Sequence, residues 1–258
     1  YLINDFTDKV KFPNGMPDFS ASEGFYGFIC WDEPSAGQYE KLAAFAQMFE
    51  EIYSGTDAKF IVNLLPSYAT ATDFGASSFD EYLDGYGSTV LSQLLNTERY
   101  FSLDTYPVMA DGSFVETFLT DLAKLKAASL KYKATSHVCL QASATVWDAE
   151  NSAWKKKTPT REELGVQMYS ALAFGIDSVS WYSYVDPQEE EDLGLHGSPV
   201  DFETGNKNAA YDDLKAVNEE VASYDYVLSK FSWTGFLTNT KVSVLKKLSN
   251  QNYLKNYY

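Results

Sequence analysis

The chain has 258 residues, 45% hydrophobic and 22% charged, enough to bury a sizeable core as an ordinary globular protein does. Its 36 acidic against 20 basic residues leave a formal charge of -16, which speaks against nucleic acid and anionic membrane as partners, since both require clustered Lys and Arg. Two cysteines, two histidines and no C-x-x-C or His-x-x-x-His pair argue against a disulfide framework, a zinc-type metal site or any cofactor built on one, and no stretch approaches the ~20 apolar residues of a membrane span.

In chain order, a helix-like opening (Leu2–Val10) leads through a Pro/Gly-bearing loop into the apolar strand Phe25–Trp31. Leu42, Phe45, Ala46, Phe49 and Ile52 then recur at helical spacing up to Gly55. The alternation continues with a strand at Lys59–Leu65, a helix at Phe79–Leu95, a strand at Tyr100–Asp104 and a helix at Val115–Leu130. Ser136–Gln141 is the next strand, followed by a long polar loop containing Lys155–Lys157. A helix over Thr160–Phe174 opens on Thr160 and Glu163 as a capping box. Asp177–Tyr182 is the fifth strand, and a single long helix is expected over Ala209–Leu228.

Strands apolar almost throughout, alternating with helices, predict an α/β fold with a parallel sheet covered on both faces. Each strand ends in a polar or aromatic group (Asp32 and Glu33, Asn63, Asp104, Gln141, Tyr182), as expected for a ring of C-terminal strand ends facing one substrate. That favours a (β/α)8 TIM barrel over an open doubly wound sheet, whose site concentrates at one crevice. Only about the last five strand-helix units are legible, so residues 1–234 read as a partial barrel. Residues 235–258 read as a tail or the start of a following β segment.

Cleavage of a glycosidic bond needs a carboxylic acid to protonate the leaving oxygen, and usually a second carboxylate as nucleophile or base. Glu33, directly after an apolar strand and beside Asp32, fits the acid/base: burial and a neighbouring like charge both raise a carboxyl pKa. The alternative is that Asp32 or Glu33 merely caps the helix beginning near Ser35. Tyr106, Trp181 and Tyr182 stand where sugar rings could stack, Asn63 and Asp32 where hydroxyls could be bound, and Trp147 and Trp154 in the long loop as outer subsites. The run Glu189–Asp192 reads as a solvated face, with calcium as its alternative. No Gly-x-Ser-x-Gly elbow and no phosphate-cradling glycine loop are present.

The ordered motifs Gly-Phe-Ile-Cys-Trp-Asp-Glu-Pro (27–34), Val-Asn-Leu-Leu-Pro (62–66), Ser-Leu-Asp-Thr-Tyr-Pro (102–107), Leu-Gln-Ala (140–142) and Pro-Thr-Arg-Glu-Glu-Leu (159–164) resemble the secreted glycoside hydrolases of gut bacteria that are similar to clan A beta-galactosidase-like enzymes. The resemblance implies a secreted or cell-surface O-glycosidase acting on a beta-linked oligo- or polysaccharide. It places Glu33 after the fourth barrel strand, with three strands upstream of Tyr1. It also puts Gln141 where that clan carries its nucleophilic Glu, and an amide cannot form a glycosyl ester. Asp104 as the second carboxylate, a carboxylate from another segment, and a carbohydrate-binding protein that does not cut are the three readings left open. The sequence does not set the oligomeric state.

Overall fold

The computed structural model describes residues 16–148, 153–185 and 195–235. The expected opening helix at Leu2–Val10, the acidic run Glu189–Asp192 and the tail beyond Gly235 lie outside the described residues. The elements in order are β1 (Gly27–Asp32), α1 (Tyr39–Tyr53), β2 (Lys59–Leu64), α2 (Ala71–Phe74), α3 (Phe79–Thr89), β3 (Tyr100–Thr105), α4 (Phe118–Tyr132) and β4 (Thr135–Gln141). They continue with β5 (Ala144–Asp148), β6 (Ala153–Lys156), α5 (Arg161–Ala173), β7 (Ser178–Tyr182), β8 (Leu195–His196), α6 (Ala209–Ala222) and α7 (Asp225–Leu228). Five strands follow the hydrogen-bonded order β1-β2-β3-β4-β7, and the β1/β2 and β2/β3 pairings are parallel. The chain divides into two compact units, Tyr1–Asp104 with Lys124–His137, and Thr105–Ala123 with Val138–Tyr258, so β4 contributes to both.

In the first unit the helices cover one face of the strands. α1 buries Tyr39, Leu42, Ala43, Ala46, Phe49 and Tyr53, the three-and-four spacing of one helical stripe. Phe49 meets Phe60 of β2 edge-on at 5.5 Å, and Tyr86 of α3 meets Phe101 of β3 at 5.2 Å. Along β2 burial alternates strictly, leaving Lys59, Ile61 and Asn63 on the less covered face. Gly27 is needed for close approach: a Cβ there would stand 2.1 Å from the Lys59 carbonyl oxygen. The helix expected to Leu95 stops at Thr89 and continues as a short 3-10 turn at Leu91–Gln93. Two glycines inside it and β-branched Thr89 and Val90 at its end weaken the helical preference there.

In the second unit α5 and α6 pack Leu164, Met168, Leu214 and Val217 together with Ala142, against which Val179 and Trp181 of β7 rest. The expected capping box is formed: the Thr160 N–H donates to Glu163 Oε2 at 2.8 Å, and the Glu163 N–H to Thr160 Oγ1 at 3.4 Å. The segment read as a long polar loop instead holds β5 and β6, an antiparallel pair that β8 extends to three strands. Its short alternating stretches are interrupted by lysines, which hid the period in the sequence. The long helix expected to Leu228 ends at Ala222, where the Ser223 hydroxyl donates to the Glu220 carbonyl at 2.6 Å and competes with the helical ladder.

Candidate functional site

The acid/base corner is built by an irregularity in β1. Ile29 pairs with Ile61, but after a shift Trp31 pairs with Val62 and Asp32 with Asn63. Because side chains alternate along a strand, that one-residue shift exchanges faces. Trp31 becomes buried with Cys30, while Asp32 turns to the open face beside Asn63. Asn63 Nδ2 donates to Asp32 Oδ1 at 3.1 Å, and the Asn63 carbonyl accepts the Glu33 N–H at 2.8 Å. Glu33 itself has φ +49, a left-handed conformation that non-glycine residues rarely adopt.

The capping alternative does not hold, because Ser35 occupies the N-cap position of the first turn (φ -76, ψ 160) and its N–H donates to Gln38 Oε1 at 2.7 Å. The expected withdrawal of Glu33 from water is also corrected: its side chain is exposed. Continuing from a buried strand end does not bury the next residue when the chain turns outward there.

Beneath this corner lies Tyr82 of α3, a residue the sequence reading did not single out. Its fully buried hydroxyl donates to the Pro34 carbonyl at 2.7 Å and accepts the Leu65 N–H at 3.3 Å, tying the turn after β1 to the end of β2. Burial raises its pKa, and the carboxylates of Glu33 and Asp104 push it further in the same direction. The two carboxyl groups differ in setting, since Asp104, in β3, is only 3% exposed.

Asp32 and Asn63 also begin a polar chain across the strands. Ser102 Oγ donates to Asn63 Oδ1 at 3.1 Å and lies 2.7 Å from His137 Nδ1. Burial lowers the His137 pKa to about 4, so the imidazole is neutral at ordinary pH, with the Tyr100 ring 5.6 Å away. Ser102 and His137 were also missed. The available signal was a polar residue inside an otherwise apolar strand, at the phase shared by Asn63.

In the second unit Gln141 is fully buried and wholly engaged with its own fold. Its Oε1 accepts the Val108 N–H at 2.8 Å, and its Nε2 donates to the carbonyls of Lys157 at 2.7 Å, Val108 at 3.2 Å and Ser143 at 3.3 Å. The backbone of Gln141 is held in turn by Gln167 at 2.9 and 3.1 Å. Where substrate binding was expected of Gln141, the structure shows its amide tying three segments of the fold together. Trp181 is likewise directed to the helices, with its indole N–H donating to Asn218 at 3.0 Å. Tyr106 and Tyr182 do come together, their rings stacked at 5.4 Å, with the Lys156 ammonium 5.6 Å from the Tyr106 centroid. The Tyr182 carbonyl accepts the Ala142 N–H at 2.7 Å, while its side chain is 41% exposed. Trp147 lies on β5 in register with Trp154 of β6. Among the described residues no cluster of three or more His, Cys, Asp or Glu is arranged to hold a metal ion, and no helix is long and apolar enough to cross a membrane.

No protein-family model matches this sequence, and no curated protein does. Solved structures similar to it include a protein assigned as an alpha-L-fucosidase from Bacteroides thetaiotaomicron VPI-5482, at TM-score 0.49 and 10% identity over 81% of this chain and 57% of that one. The beta-galactosidase from the psychrophilic Marinomonas ef1 follows at TM-score 0.48 and 13% identity, covering 77% and 30%. The PgaB (BpsB) glycoside hydrolase domain from Bordetella bronchiseptica has TM-score 0.32 and 21% identity, covering 58% and 40%. All three carry glycosidase names. The chain spans less than two thirds of each, and at these values none assigns an activity to it.

Proposed function

We propose that this chain is the larger part of a (β/α)8-barrel O-glycosidase, secreted or at the cell surface, that cleaves a beta-linked oligo- or polysaccharide with Glu33 as general acid/base. The observation that carries the reading is the backbone of Glu33, held at φ +49 at the C-terminal end of β1 by its N–H bond to Asn63. Strained conformations persist where the surroundings over-determine them, and they cluster at functional sites. The turn aims an exposed carboxyl outward beside Asp32, and bound sugar supplies the desolvation that raises its pKa. Asp104, near the end of β3, is the proposed second carboxylate. Within the second unit, the stacked Tyr106 and Tyr182 rings are of the kind on which the C–H face of a sugar can rest.

A second reading, a protein that binds carbohydrate without cutting it, is favoured by one observation: Gln141, at the position the resemblance assigns to a nucleophile, is consumed by structural hydrogen bonds. The test is hydrolysis of a panel of aryl beta-glycosides and glycans by the protein and by Glu33→Gln and Asp104→Asn. Loss of about two or more orders of magnitude in kcat for each variant is expected. Equal rates for wild type and Glu33→Gln would remove the acid/base assignment, and calorimetric binding of a glycan with no turnover would favour the second reading.

A further inference from the structure

The chain Asp32–Asn63–Ser102–His137 has a direction that the donor inventory fixes. Asn63 presents its NH2 to the Asp32 carboxyl oxygen and its Oδ1 to Ser102. The amide oxygen only accepts, so Ser102 must spend its single hydroxyl proton on it. Ser102 then has only lone pairs for His137, and the hydrogen in the 2.7 Å contact has to sit on Nδ1. The imidazole is neutral, so its Nε2 carries no proton. This is the opposite tautomer from that needed if His137 were a base activating Ser102 through the same contact, and Ser102 is in any case only 1% exposed.

We infer that Ser102 and His137 are positioning residues: they lock the side-chain amide of Asn63, which holds the Asp32 carboxylate, on the residue whose main-chain carbonyl accepts the Glu33 N–H. The inference rests on the reading of Glu33 as acid/base. Three strands away from the turn, the imidazole N–H and the Ser102 hydroxyl back up the amide orientation that Asp32 sets. Without the Ser102 hydroxyl the Oδ1 side of the amide loses its donor, and the Asn63 side chain is held at one end alone, by Asp32.

The experiment pairs nitrogen-15 imidazole spectra of the full chain with kinetics. In the wild type at neutral pH, His137 is expected as the Nδ1–H tautomer, and in Ser102→Ala it should shift toward Nε2–H. Ser102→Ala should lower kcat about tenfold with KM unchanged, while Ser102→Thr, which keeps the hydroxyl, should stay within about twofold of wild type. An Nε2–H tautomer in the wild type overturns the inference whatever the activity. So does an unchanged kcat in Ser102→Ala when the wild type is active and Glu33→Gln is not. If the wild type is inert on every substrate, the Glu33 reading fails by itself, and the spectra alone decide the relay.

Discussion

A non-glycine residue in the left-handed region costs on the order of 1 kcal/mol, and Glu33 accepts that cost at φ +49. Glu33→Gly should therefore raise the folding stability by about 1 kcal/mol while eliminating hydrolysis, a split that urea denaturation and the aryl glycoside assay would read together. A residue kept only for the turn would gain stability with no loss elsewhere. Gln141 supplies the opposite case. Replacing it by Glu points a carboxylate at three carbonyl oxygens that now receive N–H donors, so Gln141→Glu should destabilise the protein by about 2–4 kcal/mol and create no nucleophile. A stable Gln141→Glu variant with increased hydrolysis would refute this reading. From the sequence, Gln141 could be placed at a strand end, but its partners Val108, Lys157 and Gln167 come from distant segments and no local pattern announces them.

The strands and the main helices were legible because their apolar residues repeat with periods that depend only on local geometry. The β1 irregularity was not, because Phe-Ile-Cys-Trp is apolar throughout and contains no alternation from which a one-residue shift could be noticed. Yet that shift brings Asp32 rather than Trp31 alongside Asn63. The helix α3 matters to the site in the same hidden way, through Tyr82. Tyr82→Phe leaves the Pro34 carbonyl and the Leu65 N–H without their buried partner, and should cost about 1–3 kcal/mol by chemical denaturation. It should also lower kcat, because the turn that presents Glu33 is held by that hydroxyl. A kcat equal to wild type in a destabilised Tyr82→Phe protein would separate the fold role from the site role.

At the scale of the whole molecule, His137 links folding to pH. Its folded pKa of about 4 lies below the ordinary value near 6.5, so between these limits the unfolded chain binds more protons. Stability is thus full above about pH 6.5 and is lost as pH falls toward 4, with a deficit from this group of about 2 kcal/mol at pH 5. Urea midpoints measured from pH 7 to pH 5 should fall for the wild type and change much less for His137→Phe. Parallel slopes for the two proteins would show that the imidazole is not the group responsible.

What the sequence determined by itself was the α/β alternation, the candidate carboxylates at the ends of apolar strands, and the absence of the basic clusters and metal-ligand spacings that other chemistries require. All are properties of composition and short-range period. What only the tertiary structure decided was which of those residues face one another: Asp32 through a register shift, Asn63 and Ser102 through strand pairing, Glu33 through a left-handed turn, and Gln141 and Trp181 by being turned to the fold's own needs. The reason is physical. A strand's side chains alternate between two faces, so the identity of a residue states its chemistry, but its register against strands far away in sequence states whether a substrate can reach it.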